Sequence, residues 1–497
     1  MSFQSLGFLL GVAVTVAVCR MAALIYDWQA HLQPWPADPA NERFVHRNAQ
    51  LLGLISLIFY LLYTMGPRAD ATQLGVPLAG MLVSWGAARR MQSGAGNRRR
   101  CFVLAAVWHV GVLAFYKYAG PLTGGAVTAP PVPVGLSFFT FQQLWLLAEV
   151  YRGNFALGRE ERSGFLLYSM FFPTVTSGPI LKPQGFFSQL RERIILASAR
   201  DFAAGLYAIS LGMAKKVLLA DPIGAVVANG WALGDARTAP AAWIVILGYT
   251  LQLYLDFSGY CDIAAGCARL LGLRLPVNFD APYRARSVGE FWKRWHITLT
   301  TFLRECVYFP LGGSRRGTAR TCANILIVYL ISGLWHGTGW TFLVWGLLHG
   351  LAQAAERLLG RRLERAPGAV RWALTFLFVN LAWVFFQAPS LSAAGDLLAS
   401  AAAGGWGLPL ETLAAGALDS EAAALRTLLP ALEGAVPAIL VLGLLGIGLA
   451  VSLRRENVIR RMETFRPTPV RALACGGALV WAVTSFSSTA TFIYSNF

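Results

Sequence analysis

Two apolar segments follow each other at about residues 322–334 and 341–355, and a glycine-rich stretch at 332–340 joins them. Each segment is shorter than the ~20 helical residues that cross a hydrocarbon core. Basic side chains flank the pair at both outer ends, which is typical of cytoplasmic flanks: Arg315, Arg316 and Arg320 before it, and Arg357, Arg361 and Arg362 after it. The sequence therefore predicts a re-entrant hairpin whose turn lies at membrane depth.

The turn of this hairpin carries His336. Non-helical backbone at membrane depth is tolerated only inside protein or beside a water-filled cavity, and an ionisable residue there indicates a functional site. Gly333 and Gly337 allow backbone to approach a ligand closely. A neutral imidazole can take a proton from a hydroxyl and return it, so His336 is a candidate general base. Trp335 is placed either to wall a passage or to pack against lipid.

The composition places the whole chain in a membrane. Of its 497 residues, 56% are hydrophobic and 13% are charged, whereas a soluble domain carries about 25% charged residues. The net charge of +17 comes from bases beside apolar runs, a pattern that indicates contact with the lipid bilayer and not with nucleic acid. No Cys/His spacing suits a metal. We expect an all-α polytopic membrane protein.

About ten apolar runs are predicted to be transmembrane helices. They lie at about 6–26, 49–65, 75–88, 102–118, 134–150, 202–220, 241–260, 372–386, 435–453 and 473–487. The run at 164–181 contains Pro173, Gly178 and Pro179, which favour a re-entrant or interfacial element, with a kinked span as the alternative. The base-poor segment 388–434 is expected to be an outer loop.

A second histidine lies in a basic stretch before the hairpin. Ser287 and Glu290 form a capping-box pattern that predicts a helix start. One apolar stripe then continues at helical spacing, through Phe291, Trp292, Trp295, Leu299, Phe302 and Leu303. His296 lies at the edge of that stripe, on what we expect to be a single interfacial helix.

Other polar residues near apolar segments are candidates with two interpretations. His349 follows Trp345 and is expected to face the bundle. Asp256 and Asp262 lie at the inner end of one span, where they either position a ligand or pair with Arg294 or Arg284. The G-x-S-x-G, Walker A and H-E-x-x-H motifs are absent from the sequence. A serine hydrolase with a nucleophile elbow, a P-loop phosphate-binding protein and a zinc hydrolase are therefore less well supported.

Three motifs together resemble the membrane-bound O-acyltransferases. They are Phe291-Trp-Lys-Arg-Trp-His296, Pro310-Leu-Gly-Gly313 and Gly333-Leu-Trp-His336-Gly337. The agreement extends from about Phe115 to the C-terminus and is strongest with the bacterial alginate O-acetyltransferase branch. The chain departs from the family pattern at Glu149, where we expect Asp, and at Glu305-Cys306, where we expect Asp-Tyr.

The resemblance implies a ring of tilted helices around a central tunnel, with His336 as the essential catalytic residue and His296 as the second family histidine. It implies acetyl-CoA as the cytoplasmic acyl donor, with no permanently bound cofactor and no metal. It also implies an extracytoplasmic polysaccharide as the acceptor, a periplasmic SGNH or serine-esterase-like partner, and a bacterial inner-membrane location. Substrate-binding side chains are expected at Trp335, Asp256, Tyr260, Arg294, Arg304, Gln142, Asn278 and His349.

The chain divides into three expected regions: divergent N-terminal helices at 1–114, a catalytic core at 115–390, and a C-terminal loop with further helices at 391–497. Two alternative functions stay open. One is transfer of an acyl or D-alanyl group from a carrier protein to a cell-envelope polymer. The other is a non-enzymatic membrane transporter or assembly scaffold.

Overall fold

The computed structural model describes residues 5–32, 39–64, 70–94, 96–192 and 197–486, and within these ranges it contains helices and turns but no strand. The helices of the first half are α1 Leu6–Leu32, α2 Pro39–Thr64, α3 Thr72–Gln92, α4 Arg98–Leu122, α5 Leu136–Arg152, α6 Arg159–Met170, α7 Pro183–Glu192, α8 Ala199–Met213, α9 Asp221–Ala232 and α10 Ala239–Leu270. Those of the second half are α11 Val288–Arg294, α12 Ile297–Leu303, α13 Thr318–His336, α14 Trp340–Leu363, α15 Gly368–Gln387, α16 Leu391–Ala403, α17 Leu410–Ala414, α18 Asp419–Leu428, α19 Val436–Ser452, α20 Val458–Glu463 and α21 Pro469–Thr484.

Among the residues that the structure describes, six helical stretches are long and apolar enough to cross a membrane: Arg98–Leu122, Ala199–Ala232, Ala239–Leu270, Thr318–His336, Gly368–Gln387 and Pro430–Ser452. Three shorter apolar helices accompany them, at Leu6–Met21, Leu391–Ala403 and Pro469–Thr484. The all-helical, multi-pass membrane fold is therefore confirmed. The number of about ten crossings stays a prediction.

Helix α10 is the central and most deeply buried span. Thr238 caps it by accepting a hydrogen bond from the Ala241 backbone N–H, and 32 residues follow without a break. Its contact with α8 is close because glycines face each other. A Cβ on Gly212 would lie 2.5 Å from the Gly259 carbonyl oxygen. Small residues allow membrane helices to approach in this way.

Two adjacent lysines join α10 to the helix beside it. A π-helical segment, Ala214–Ala220, links α8 to α9 and carries both of them. Lys215 Nζ lies 2.6 Å from a carboxylate oxygen of Asp262. Lys216 Nζ lies 2.5 Å from Asp256 and 2.7 Å from Asp221.

The alternative in which the α10 carboxylates pair with Arg294 or Arg284 is wrong. Arg294 instead pairs with Glu290 at 2.8 Å, and Arg284 donates to the Leu453 carbonyl oxygen at 3.1 Å. Lys215 and Lys216 pair with these carboxylates because their π-helical segment packs along α10 and brings both ammonium groups to the level of Asp256 and Asp262.

The hairpin forms, but its arms are longer than predicted. Helix α13 has 19 residues and meets the length and composition of a span, so the prediction that it is too short is wrong. Both helices also include residues of the basic flanks, which lie outside the apolar segments at 322–334 and 341–355. The arms pack closely, since a Cβ on Gly333 would lie 2.5 Å from the Phe342 carbonyl oxygen. His336 is the last residue of α13, immediately before the turn.

The run at 164–181 breaks as its prolines and glycine predict. Helix α6 ends at Met170, a buried irregular segment follows, and helix resumes only at Pro183. The alternative of one kinked span is therefore wrong. Segment 388–434 is also not a plain loop, because it contains α16, α17 and α18.

Candidate active site

His336 lies at the C-terminal end of α13 inside a cage of aromatic rings, and only 2% of its surface is exposed. The ring centroids of Trp335, Phe386 and Trp345 lie 4.7, 5.0 and 5.1 Å from that of His336, all in edge-on contacts. These rings exclude water and leave the imidazole few rotamers. An imidazole held in this way has few alternative orientations.

His296 lies at a break between two short helices. The prediction of one continuous helix is wrong, because α11 ends at Arg294 and α12 begins at Ile297. His296 has φ +44° and ψ +53°, which is left-handed backbone. Such a conformation is uncommon for a residue with a Cβ and persists only where the surroundings impose it.

The segment that imposes this break is 278–280. Ile297 N donates to the Asn278 carbonyl oxygen at 2.9 Å, and Asp280 N donates to the Arg294 carbonyl oxygen at 2.9 Å. These two bonds satisfy backbone groups that a continuous helix would have used itself. The break is therefore built into the site, and it turns the fully buried His296 ring toward α5 and α10.

The Asn278 side chain orients the His296 imidazole. Asn278 Oδ1 accepts bonds from Thr298 N at 3.2 Å and Thr298 Oγ1 at 2.9 Å, and it lies 3.3 Å from His296 Nδ1. An amide oxygen can only accept, so this contact favours the tautomer with its proton on Nδ1 and its lone pair on Nε2. Burial lowers the pKa of His296 to about 3, and the ring is neutral at physiological pH.

Trp335 connects the two histidines. Its ring centroid lies 4.7 Å from that of His336 and 6.3 Å from that of His296. Its Nε1 donates to the Ser137 carbonyl oxygen at 3.3 Å, and its ring stacks on Phe141 at 5.1 Å. The two histidines that the sequence singles out therefore belong to one site.

His349 extends the site on the opposite side of Trp345. Its Nδ1 accepts a hydrogen bond from Trp292 Nε1 at 3.1 Å, so its proton is on Nε2. Three buried N–H groups here, on His349, Trp345 and Trp383, have no hydrogen-bond partner among the residues that the structure describes. Buried donors of this kind are costly to leave unpaired and call for an explanation.

The other candidate substrate-binding residues make their hydrogen bonds and ion pairs with residues other than the two histidines. Gln142 Nε2 donates to the Tyr168 carbonyl oxygen. The Tyr260 hydroxyl lies 2.7 Å from Thr176 Oγ1 and fixes the irregular segment after α6. Arg304 is exposed at the start of a π-helical turn. The ion pairs of Asp256 and Arg294 are given above. The substrate contacts of all five residues stay predictions.

Glu356 on α14 caps the helix that leads to His296, and the sequence analysis missed it. Its two carboxylate oxygens accept from Val288 N at 2.5 Å and Gly289 N at 2.9 Å, while Ser287 Oγ accepts from Glu290 N at 3.0 Å. The capping-box prediction is thus right for Ser287, but the Glu290 carboxylate accepts from Arg286 N. Nothing local could have revealed Glu356, because it lies 68 residues beyond Val288.

Replacing Glu356 with alanine is expected to cost about 1–2 kcal/mol of folding stability, because it removes a charged double cap from a helix N-terminus. Thermal unfolding of the purified protein in detergent measures the loss. Glu364→Ala, at the exposed end of the same helix, is the matched control and should leave the midpoint unchanged. Equal midpoints for both variants would contradict the cap.

The profile of the membrane-bound O-acyltransferase family matches residues 163–392. The probable alginate O-acetylase of Pseudomonas aeruginosa is 35% identical over 373 residues, which cover 71% of this chain and 69% of that protein. The chain belongs to the membrane-bound O-acyltransferase family. Both histidines and all of the aromatic cage lie within the residues that the profile matches.

Two further relatives of this membrane-bound O-acyltransferase modify different polymers. The peptidoglycan O-acetyltransferase of Helicobacter pylori is 35% identical over 338 residues, covering 61% of this chain and 64% of that protein, slightly less than two thirds of its length. The teichoic acid D-alanyltransferase of Streptococcus thermophilus is 30% identical over 237 residues, with coverages of 44% and 55%.

The two departures from the family pattern meet in space. Lys182 Nζ lies 2.9 Å from Glu305 and 4.0 Å from the buried carboxylate of Glu149. Trp145 Nε1 donates to Glu305 at 3.2 Å, and Arg152 pairs with Glu149 at 2.8 Å. Both acids are one methylene longer than expected and share one cation, so we interpret them as a matched pair of changes.

Proposed function

We propose that this chain is an O-acyltransferase that moves an acetyl group from cytoplasmic acetyl-CoA across the bacterial inner membrane to an extracytoplasmic polysaccharide. The proposal rests on one observation above all: His336 and His296, from two separate elements, meet across Trp335 in a water-excluded cage. A structural histidine pair needs no such placement at the end of a span. Acyl transfer does need a neutral base that both substrates can approach.

The chemistry follows from these groups. His336 takes the proton of the attacking hydroxyl as its oxygen bonds to the thioester carbonyl carbon, and the thiolate leaves when the tetrahedral intermediate collapses. Alternatively, His336 first takes the acyl group itself and then passes it on. Negative charge develops on the carbonyl oxygen in either route, and the unpaired N–H of Trp345, beside His336, supplies a donor of the required kind. His296 positions the thioester or assists proton transfer.

The relatives support an acetyl group and a polymer acceptor. Those that match most of this chain are named for O-acetylation of alginate or peptidoglycan. We propose a separate periplasmic, serine-esterase-like protein as the one that passes the acetyl group to the polymer. The D-alanyltransferase relative favours a second candidate, transfer of a D-alanyl group from a carrier protein, with lower coverage.

Purified protein in proteoliposomes distinguishes the two donors. Each donor is added on the side of the vesicle membrane that the cytoplasmic face of the protein occupies. We expect the thioester of labelled acetyl-CoA to be cleaved and a D-alanyl carrier thioester to stay intact. Each donor is also offered to liposomes without protein, as the control for spontaneous hydrolysis. Turnover of the carrier thioester with no turnover of acetyl-CoA would overturn the proposed donor and leave the second candidate.

Cells from which the gene is deleted test the acceptor. Their extracellular or wall polysaccharide should lose O-acetyl groups, and a plasmid copy of the wild-type gene should restore them. Unchanged ester content in all envelope polymers would contradict a polysaccharide acceptor.

A further inference from the structure

The last turn of α13, which ends in His336, is held by two neighbouring side chains of α4. Lys117 Nζ donates to the Trp335 carbonyl oxygen. The Tyr118 hydroxyl donates to the Leu334 carbonyl oxygen at 2.6 Å and lies 3.3 Å from the Gly337 carbonyl oxygen. The last carbonyls of a helix have no partner within the helix and carry partial negative charge, so an ammonium and a hydroxyl suit them.

These contacts bracket the catalytic candidate in sequence. Lys117 bonds the residue directly before His336, and Tyr118 reaches the residues on both sides of that pair. The Lys117 ammonium also lies 5.9 Å from the centroid of the Trp335 ring. Any rotation of this turn that moves the imidazole must therefore break bonds to α4.

A lysine inside a membrane span is costly and is rarely kept without a purpose. The usual structural explanation is that the side chain extends to the interface and keeps its charge in water. Lys117 does not do this, since its ammonium is directed at a backbone carbonyl beside the site. Helix α4 lies outside the residues that the family profile matches, 163–392, and the sequence analysis assigned Lys117 no role.

We propose that Lys117 and Tyr118 are positioning residues for acyl transfer. They fix the last turn of α13 so that the His336 imidazole stays where donor and acceptor can both reach it. Neither side chain is a base or nucleophile in this role. The inference rests on the proposed function, which supplies the reaction to be positioned.

The test compares Lys117→Met, Lys117→Arg and Tyr118→Phe with the matched control Tyr116→Phe. Tyr116 is on the same helix but lines an apolar groove between α3 and α4. Because a small misplacement of a reacting group is costly, Lys117→Met should lower kcat for acetyl-CoA turnover by about tenfold or more, with KM within about twofold of wild type. Lys117→Arg keeps the charge and a donor and should recover most of kcat. Tyr118→Phe should have a smaller effect, and Tyr116→Phe none.

A second readout does not depend on turnover. Carbethoxylation of His336 by diethylpyrocarbonate, quantified by mass spectrometry, should be faster in Lys117→Met than in wild type and unchanged in Tyr116→Phe. Loss of the positioning bonds loosens the aromatic cage and admits the reagent.

The outcomes separate the two proposals. Wild-type protein without acetyl-CoA turnover contradicts the proposed donor, while faster His336 labelling in Lys117→Met still supports the positioning role. Wild-type kcat together with wild-type labelling in Lys117→Met overturns that role. A fall in kcat that disappears when rates are normalised to folded protein, with labelling unchanged, overturns it as well.

Discussion

Replacing His336 with glutamine is expected to lower the rate of acetyl transfer by about 10³-fold, within the range that a positioned general base contributes. Glutamine keeps a polar side chain of similar reach but cannot take a proton from a hydroxyl or hold an acyl group through nitrogen. The surrounding rings of Trp335, Trp345 and Phe386 need no rearrangement to accommodate it. Folded protein in the membrane fraction should therefore be close to wild type.

The chain offers a matched control in His109, which is also a buried histidine in a span. Its Nε2 lies 2.8 Å from Ser84 Oγ, and its neighbours are α3 and α5 rather than the hairpin. His109→Gln should keep nearly full activity, because glutamine can still bond that serine. Acetyl-CoA turnover and polymer acetylation are measured for both variants at equal amounts of folded protein. Wild-type turnover in His336→Gln would end its assignment as the base.

The position of His336 at the hairpin turn was predictable because its evidence is local. Short apolar segments, basic flanks and a glycine-rich turn all lie between Arg315 and Arg362, and together they predict the hairpin and the place of His336 at its turn. The exact arm lengths were not predictable in this way. Helix α13 begins at Thr318, so its first turn contains the polar residues Thr318, Arg320 and Thr321, which the apolar pattern does not include.

The geometry at His296 was not predictable from periodicity. The apolar stripe from Phe291 to Leu303 continues through the break without a proline or glycine, so the local signal indicates one helix. The break arises from backbone hydrogen bonds to the segment 278–280, which arrives from earlier in the chain. These hydrogen bonds to a distant segment override the local preference for one helix. A pattern within residues 291–303 alone therefore cannot reveal the break.

The partners of buried charges were missed for the same reason. Asp256 and Asp262 were recognised as carboxylates that either position a ligand or pair with a cation, but Lys215 and Lys216 lie no nearer to them in the sequence than Arg284 and Arg294 do. Only the packing of α8 and α9 along α10 decides between them. The lysines lie in a π-helical segment, and such segments often occur at functional sites.

Replacing Lys216 with methionine is expected to give the largest loss of stability in the chain, about 3–5 kcal/mol. The substitution removes the cation that Asp256 and Asp221 both face, at 2.5 and 2.7 Å. The Lys216 and Asp256 side chains are each only 2% exposed, so water cannot replace the ammonium. Reversible unfolding in mixed micelles measures the change.

Two comparisons isolate the buried charge as the cause. Lys215→Met breaks the neighbouring pair with Asp262, whose side chains are 19% and 7% exposed, and solvent should reduce its cost well below that of Lys216→Met. Changing Asp221 and Asp256 to asparagine in the Lys216→Met background removes the uncompensated charge and should recover much of the lost stability, as coupled sites do. If Lys215→Met and Lys216→Met cost the same, or if the triple variant is no more stable than Lys216→Met, the loss comes from packing and not from charge.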